Sequence, residues 1–186
     1  VPKVSPDHLR ARRQQILDGA RACFARHGYE GATVRVLEEE IGLSRGAIFH
    51  HFADKEALFL AVAEQDAAAM RQTVTEHGLV QVMREMIAAP DAERIGTQLE
   101  IARRLRTDPA FRVAWQPQLD ELGAAVRDRL RGQRQLGALR ADAEIDQVAS
   151  YLELVMEGLT AHLAAGLPAD RLERVLDLVE GSVRQG

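Results

Sequence analysis

The 186 residues carry 24 Lys/Arg against 28 Asp/Glu, a formal charge of −4, with 4% aromatic residues and one cysteine. A chain of this length can bury a substantial core as one large or two small domains. Cys23 alone excludes an intrachain disulfide, and no apolar run approaches the roughly 18 residues of a membrane span. No signal-peptide pattern opens the chain, so a cytoplasmic protein without a membrane partner is expected. The charge is divided: residues 1–55 hold nine Lys/Arg against seven Asp/Glu, net +2, and the rest hold 15 against 21, net −6. Acidity overall therefore does not exclude nucleic-acid binding by the first part. A surplus of two charges makes such binding depend on a few placed contacts and leaves it salt-sensitive.

In chain order, Ser5-Pro6-Asp7 is an N-cap followed by proline at the first helical position, and it opens a helix to about His27. Cys23, inside this helix beside Phe24, reads as a buried small hydrophobe. Thr33 caps a second helix in which Val34, Leu37 and Ile41 recur at helical spacing. Gly42 suits the left-handed residue that ends it, and Ser44 is a fresh N-cap for a third, short helix from Arg45 to about His51. Asp54 caps a fourth that runs to about Glu76. Gly78 and Ala88-Ala89-Pro90-Asp91 bracket a fifth, and a sixth spans about Ala92 to Arg106. Thr107-Asp108-Pro109 ends it and starts a seventh, which Pro117 should bend by removing a backbone donor. Gly132–Gly137 is a break, Asp142 opens the eighth helix, and Gly166-Leu167-Pro168 separates it from the ninth. No strand pattern or repeat competes, so the fold class is all-α.

The second and third helices form a helix-turn-helix. The third is small and polar at its start (Arg45, Gly46, Ala47) and aromatic at its end (Phe49, His50, His51, Phe52). Small residues let a helix sink into the major groove, where its N-terminal side chains reach base edges. A helix–glycine–helix corner also occurs in many all-α proteins that never meet DNA, so the whole string has to be weighed. Neighbouring His50 and His51 lie about 100° apart on a helix and do not converge on one metal ion.

The string Phe24-Ala25-Arg26-His27-Gly28-Tyr29, Gly31-Ala32-Thr33, Gly42-Leu43-Ser44-Arg45-Gly46-Ala47-Ile48-Phe49-His50-His51-Phe52 and Lys55-Glu56-Ala57-Leu58 resembles the N-terminal domain of TetR-type transcriptional regulators. The likeness covers about residues 10 to 62. It implies a nine-helix TetR-like fold with a DNA-binding domain at 1–53 and an effector-binding and dimerisation domain at 54–186. It further implies that Arg45, Ala47 and His50, with Gly46, face bases or the groove wall. Thr33, Arg35, Ser44, His51 and Lys55 would face phosphates. One departure stands out: the family most often has tyrosine at Phe49, so a phosphate contact is lost or replaced by packing.

The last two helices carry their own pattern. One apolar stripe on helix eight is Ile145, Val148, Leu152, Val155, Leu159 and Leu163; a second is Tyr151, Leu154, Gly158, Ala161 and Ala165. A helix apolar on two faces must pack on two sides, and in a chain this small one side is expected to meet another subunit. In the TetR family the last two helices commonly make a four-helix dimer interface, and the resulting pair of heads suits a palindromic double-stranded operator.

The segments Leu99-Glu100-Ile101-Ala102-Arg103-Arg104-Leu105-Arg106-Thr107-Asp108-Pro109 and Val175-Leu176-Asp177-Leu178-Val179-Glu180-Gly181-Ser182-Val183-Arg184 resemble the actinobacterial aconitase repressors, a branch of the family. Their ligand is citrate with magnesium and the regulated gene encodes aconitase. Helical geometry bears on the pocket independently. Arg129 falls beside Leu122 and Ala125 inside the apolar arc of helix seven, while Arg127 and Arg131 fall on the polar side. A cation buried there requires an anionic partner. Glu180 borders the apolar face of helix nine, Arg106 shares an arc with Leu99 and Ile95, and Glu153 and Glu157 stack between the stripes of helix eight. Internal ion pairing among these residues is the plain alternative. With the resemblance, Arg129 and Glu180 become the leading ligand contacts, Glu180 the metal contact, and Arg106 and Glu157 further candidates. Citrate is a polyanion on which an arginine can fork, and magnesium takes oxygen ligands while keeping water. An apolar or aromatic effector of a regulator of an efflux or catabolic gene is the competing reading. No nucleophile–base constellation, Gly-rich phosphate loop or metal-spaced Cys/His set is present, so no enzyme and no catalytic cofactor are expected.

Overall fold

The computed structural model describes residues 6–184, and among these residues it holds nine helices and no strand beyond an isolated antiparallel bridge between Leu139 and Arg184. They are α1 (Pro6–Gly31), α2 (Val34–Ile41), α3 (Arg45–Phe49), α4 (Lys55–His77), α5 (Leu79–Ala88), α6 (Ala92–Thr107), α7 (Pro109–Gln135), α8 (Ile145–Ala164) and α9 (Leu172–Val183). The expected cap at Ser5 lies outside the described residues. Other caps are in place: Asp54 accepts from Ala57 N at 2.8 Å, and Asp108 accepts from Phe111 N at 3.0 Å. α1 breaks its helical backbone at Gly28 (φ 67°), four residues before Ala32 buries itself.

Pro117 lies inside α7, which runs on to Gln135. The carbonyl that loses its donor belongs to Val113, whose side chain is 77% exposed, so solvent is close at hand to satisfy it. Asp142 does not open α8. Glu144 does, through a capping box with Gln147, because Asp142 is taken by the Arg140 guanidinium at 2.6 Å. That ion pair holds the Asp142 carboxyl down at about 2.

By packing, the chain divides into two compact units: residues 1–66 with 92–103, and residues 67–91 with 104–186. In the first, Ile16, Leu17, Ala20 and Phe24 of α1, Leu37 and Ile41 of α2, Ile48 of α3 and Leu58, Phe59 and Val62 of α4 are buried. Phe24 and Tyr29 stack, and both meet the Phe59 ring edge to face, Phe24 and Phe59 with centroids 5.1 Å apart. Arg21 pairs with Asp66 at 2.9 Å, both nearly buried. α6 enters this unit at Gly96, where an added Cβ would stand 2.7 Å from the Ala25 Cβ.

That close approach sets the rotation of α6 and corrects the arc drawn from its sequence. Ile95, Thr97, Glu100 and Arg104 face inward, whereas Leu99 is 41% exposed and Arg106 is exposed. The buried cation of α6 is therefore Arg104, lying 4.2 Å from the Phe111 ring centroid and bonded to Asp108. The second unit packs α5, α7, α8 and α9 around Met83, Val126, Val148, Leu152, Leu176 and Val179.

Candidate functional site

The helix-turn-helix is built by caps at both starts. Thr33 accepts from Val36 N and Ser44 from Ala47 N, both at 3.4 Å, and Gly42 (φ 72°) makes the turn while its N–H reaches the Glu38 carbonyl. The Glu38 carboxylate accepts from Arg45 N at 2.6 Å, so a side chain of α2 satisfies an orphan donor of α3. Ile48 and Phe52 anchor α3 to the core, fully and almost fully buried. Arg45, Gly46 and His50 are left exposed, with Ala47 and Phe49 half-buried.

Gly46 has no positive φ, and a Cβ there would meet nothing within 4 Å. Glycine in a helix costs about 1 kcal/mol relative to alanine, and here it leaves a bare, exposed stretch of backbone at the start of α3.

The candidate phosphate contacts lie around it. Thr33, Arg35 and Ser44 are exposed, and Arg35 pairs with Glu39 at 3.0 Å on the surface. Lys55 is half-buried: its ammonium donates to the Tyr29 carbonyl at 2.8 Å and sits 4.2 Å from that ring's centroid, leaving two further donors. His51 is half-buried against His50, the rings edge to face at 5.4 Å. Burial pushes its imidazole below the ordinary range, and the charges of His50, Arg13 and Arg12 add to the shift. Sequence reasoning passed over Arg12 and Arg13. They act on His51 from α1, and Arg13 lies 4.9 Å from the Phe52 ring centroid. Their separation from α3 in sequence hid them. Cys23 is fully buried; burial and then the Glu40 charge push its thiol up to about 11, so it remains a protonated thiol at neutral pH.

Within the second unit, a cavity of about 370 Å³ is lined by His77 and Gly78 at the end of α4, Val80 of α5, Arg129 and Gln133 of α7, and Glu180 of α9. Leu139, Val183 and Arg184 complete one wall. The structure thus brings Arg129 and Glu180 into one cavity. Arg106 and Glu157 do not line it, and Glu157 is exposed on α8.

Arg129 is half-buried and makes no hydrogen bond or ion pair among the described residues. The other α7 arginines are engaged: Arg127 with Asp146, Arg131 with Asp128, and Arg134 with the Arg140 and Ala143 carbonyls. Glu180 is the opposite case. One oxygen accepts from Arg84 at 2.9 Å and the other from Arg184, so two guanidinium groups already neutralise it. The pairing with Arg184 is legible at i, i+4. That with Arg84 is not, because α5 meets α9 only in the tertiary fold.

A magnesium ion fits this cavity only as cargo of a chelating ligand. Among the described residues no group of three or more His, Cys, Asp or Glu converges, and Glu180 is the one carboxylate of the lining. Mg²⁺ wants six oxygens, so most of them would come from the chelator and water.

The helix-turn-helix with its exposed third helix, and a cavity lined by Arg129, Arg184 and Glu180, are what a DNA-binding regulator with a polar ligand pocket would present. The chain belongs to the tetR family of bacterial regulatory proteins, whose family model matches residues 16–62. It is 56% identical over all 186 residues, the full length of both chains, to the HTH-type transcriptional repressor Rv1474c of Mycobacterium tuberculosis. It is also 56% identical to the HTH-type transcriptional repressor AcnR of Corynebacterium diphtheriae, covering 99% of this chain and 97% of that one. A TetR-family regulator from Cytophaga hutchinsonii shares the fold over the whole of both chains, with a TM-score of 0.74 at 19% identity. The chain is therefore a transcriptional regulator and not an enzyme. No helix among the described residues is long and apolar enough to cross a membrane.

Proposed function

We propose that this protein is a homodimeric repressor of an aconitase-type gene, released from a palindromic operator by citrate with magnesium. The observation that carries the effector reading is Arg129, a half-buried cation with no ion pair or hydrogen bond among the described residues, lining the same cavity as Glu180. A buried charge lacking a counter-ion is costly, and a polyanion removes that cost with two charge-assisted hydrogen bonds. An apolar effector would leave Arg129 unpaired, so the efflux-type reading is the weaker one. The names and identities of the curated repressors support the same branch.

The proposed labour divides at residue 53. Residues 1–53 read DNA through Arg45, Ala47 and His50, with Thr33, Arg35, Ser44 and His51 on phosphates, and Lys55 adds a phosphate contact from the first turn of α4. Residues 54–186 bind effector and partner subunit. The second stripe of α8 supports the dimer: Tyr151, Leu154, Gly158, Ala161 and Ala165 are exposed, as are Val175 and Leu178 of α9, while the first stripe packs inward. α4 begins with Lys55 and ends with His77, which lines the cavity, so it is one continuous element whose two ends serve both tasks. Citrate releases the operator only if it prefers the spacing of recognition helices that DNA does not, since equal affinity shifts nothing. Fluorescence anisotropy with an operator duplex tests this: citrate plus magnesium should weaken binding. An unchanged affinity refutes the effector.

A further inference from the structure

The two arginines that hold Glu180 are not equivalent. Arg84 reaches three carboxylates, Glu173 at 2.7 Å, Asp177 at 2.9 Å and Glu180 at 2.9 Å, so it keeps two partners whatever happens to Glu180. Arg184 has Glu180 as its single side-chain partner among the described residues, and it lines the cavity that Arg84 does not. Its backbone is held in place. Leu139 bridges to Arg184, Arg140 N donates to the Val183 carbonyl at 2.9 Å, and Arg140 Nη1 donates to the Ser182 carbonyl at 2.9 Å.

We infer that Arg184 is a second anion-contacting residue of the effector cavity, and that Glu180 occupies it as a built-in carboxylate until a divalent cation takes Glu180. This rests on the effector reading above and adds to it a reason for the metal. Without a cation the charged lining is Arg129 plus an Arg184–Glu180 pair that cancels itself, leaving one available guanidinium. A cation on Glu180 screens that carboxylate. Arg84 stays with Glu173 and Asp177, and Arg184 is freed to turn its fork toward the ligand. The cavity then offers two guanidinium groups to a polycarboxylate, which is why cation and anion bind as a pair. Only ion pairs exchange; no covalent bond changes.

Calorimetric titration of the protein with citrate, with and without Mg²⁺, tests the exchange. Glu180→Gln keeps the side-chain shape and removes the competing charge. It should bind citrate without Mg²⁺ at least about tenfold more tightly than wild type does without Mg²⁺, the order of one charge-assisted hydrogen bond, and Mg²⁺ should no longer improve it. Adding Arg184→Gln should abolish that gain, while far-UV circular dichroism and operator binding report whether each variant is folded. A Glu180→Gln protein that binds citrate no better than wild type without Mg²⁺, or a gain that survives Arg184→Gln, overturns the inference while leaving the effector reading intact if wild type binds citrate with Mg²⁺. No citrate binding by any variant overturns both.

Discussion

Arg129→Gln separates a binding role from a structural one, because the two make opposite forecasts at this position. Arg129 has no ion pair or hydrogen bond to lose among the described residues, and its stem lies about as far from Gly78 as ordinary van der Waals contact, 3.8 Å from a Cβ placed there. Glutamine keeps most of that stem. Global stability should therefore change by less than about 0.5 kcal/mol, the range of substitutions that break no specific interaction. Arg84→Gln is the contrasting control. It strips three carboxylates of a shared cation and leaves Glu173, Asp177 and Glu180 repelling one another. Its side chain is 25% exposed, so solvent screens part of the effect, and a loss of about 1–2 kcal/mol is expected. Citrate binding should respond in the reverse order. Losing a forked contact to a carboxylate removes two charge-assisted hydrogen bonds, about 1.5–3 kcal/mol for each, or at least tenfold in affinity. Urea unfolding gives the stabilities, and calorimetry with citrate and Mg²⁺ gives the affinities. Arg129→Gln unfolding more than about 1 kcal/mol more easily than wild type, or binding citrate as tightly, would refute the reasoning.

Leu154 is 67% exposed in the single chain, so Leu154→Glu should leave the protomer folded while turning dimer into monomer in sedimentation velocity and weakening operator binding. His51 is held below its ordinary pKa in the free protein, first by burial, so unfolding takes up a proton there as the pH falls. Stability should decline below about pH 6.5, the ordinary histidine value. Operator affinity should instead rise between about pH 7.5 and 6, because a phosphate beside the ring favours its protonated form; His51→Gln flattening neither profile would count against a phosphate contact. Gly96→Val drives a side chain into Ala25, whose Cβ and Cα stand 2.7 and 2.9 Å from the first added carbon. Overpacking against backbone should cost about 2–3 kcal/mol in urea unfolding.

The DNA-reading head was legible because its signals are local. Thr33, Gly42 and Ser44 determine starts and stops through hydrogen bonds within three or four residues, and those bonds are present. Arg129 was legible for a related reason: a cation among apolar neighbours on one helix is a conflict that the helix cannot resolve alone. Arg106 misled because α6 has two candidate inward faces, and only contact with Ala25 through Gly96 selects between them. Asp142 looked like a cap because its chemistry is that of a cap; the nearby Arg140 offers it a stronger partner.

Sequence by itself thus determined the helices, most of their punctuation, the exposed glycine of the third helix and the misplaced cation of the seventh, all consequences of periodicity and of bonds closed over one turn. Tertiary structure decided which face of α6 is buried and that Arg129 and Glu180 share a cavity. It also decided that Arg84 and Arg184 contend for one carboxylate. Those are identities of partners distant along the chain, and nothing in the spacing of residues on one helix specifies what the neighbouring helix brings to meet it.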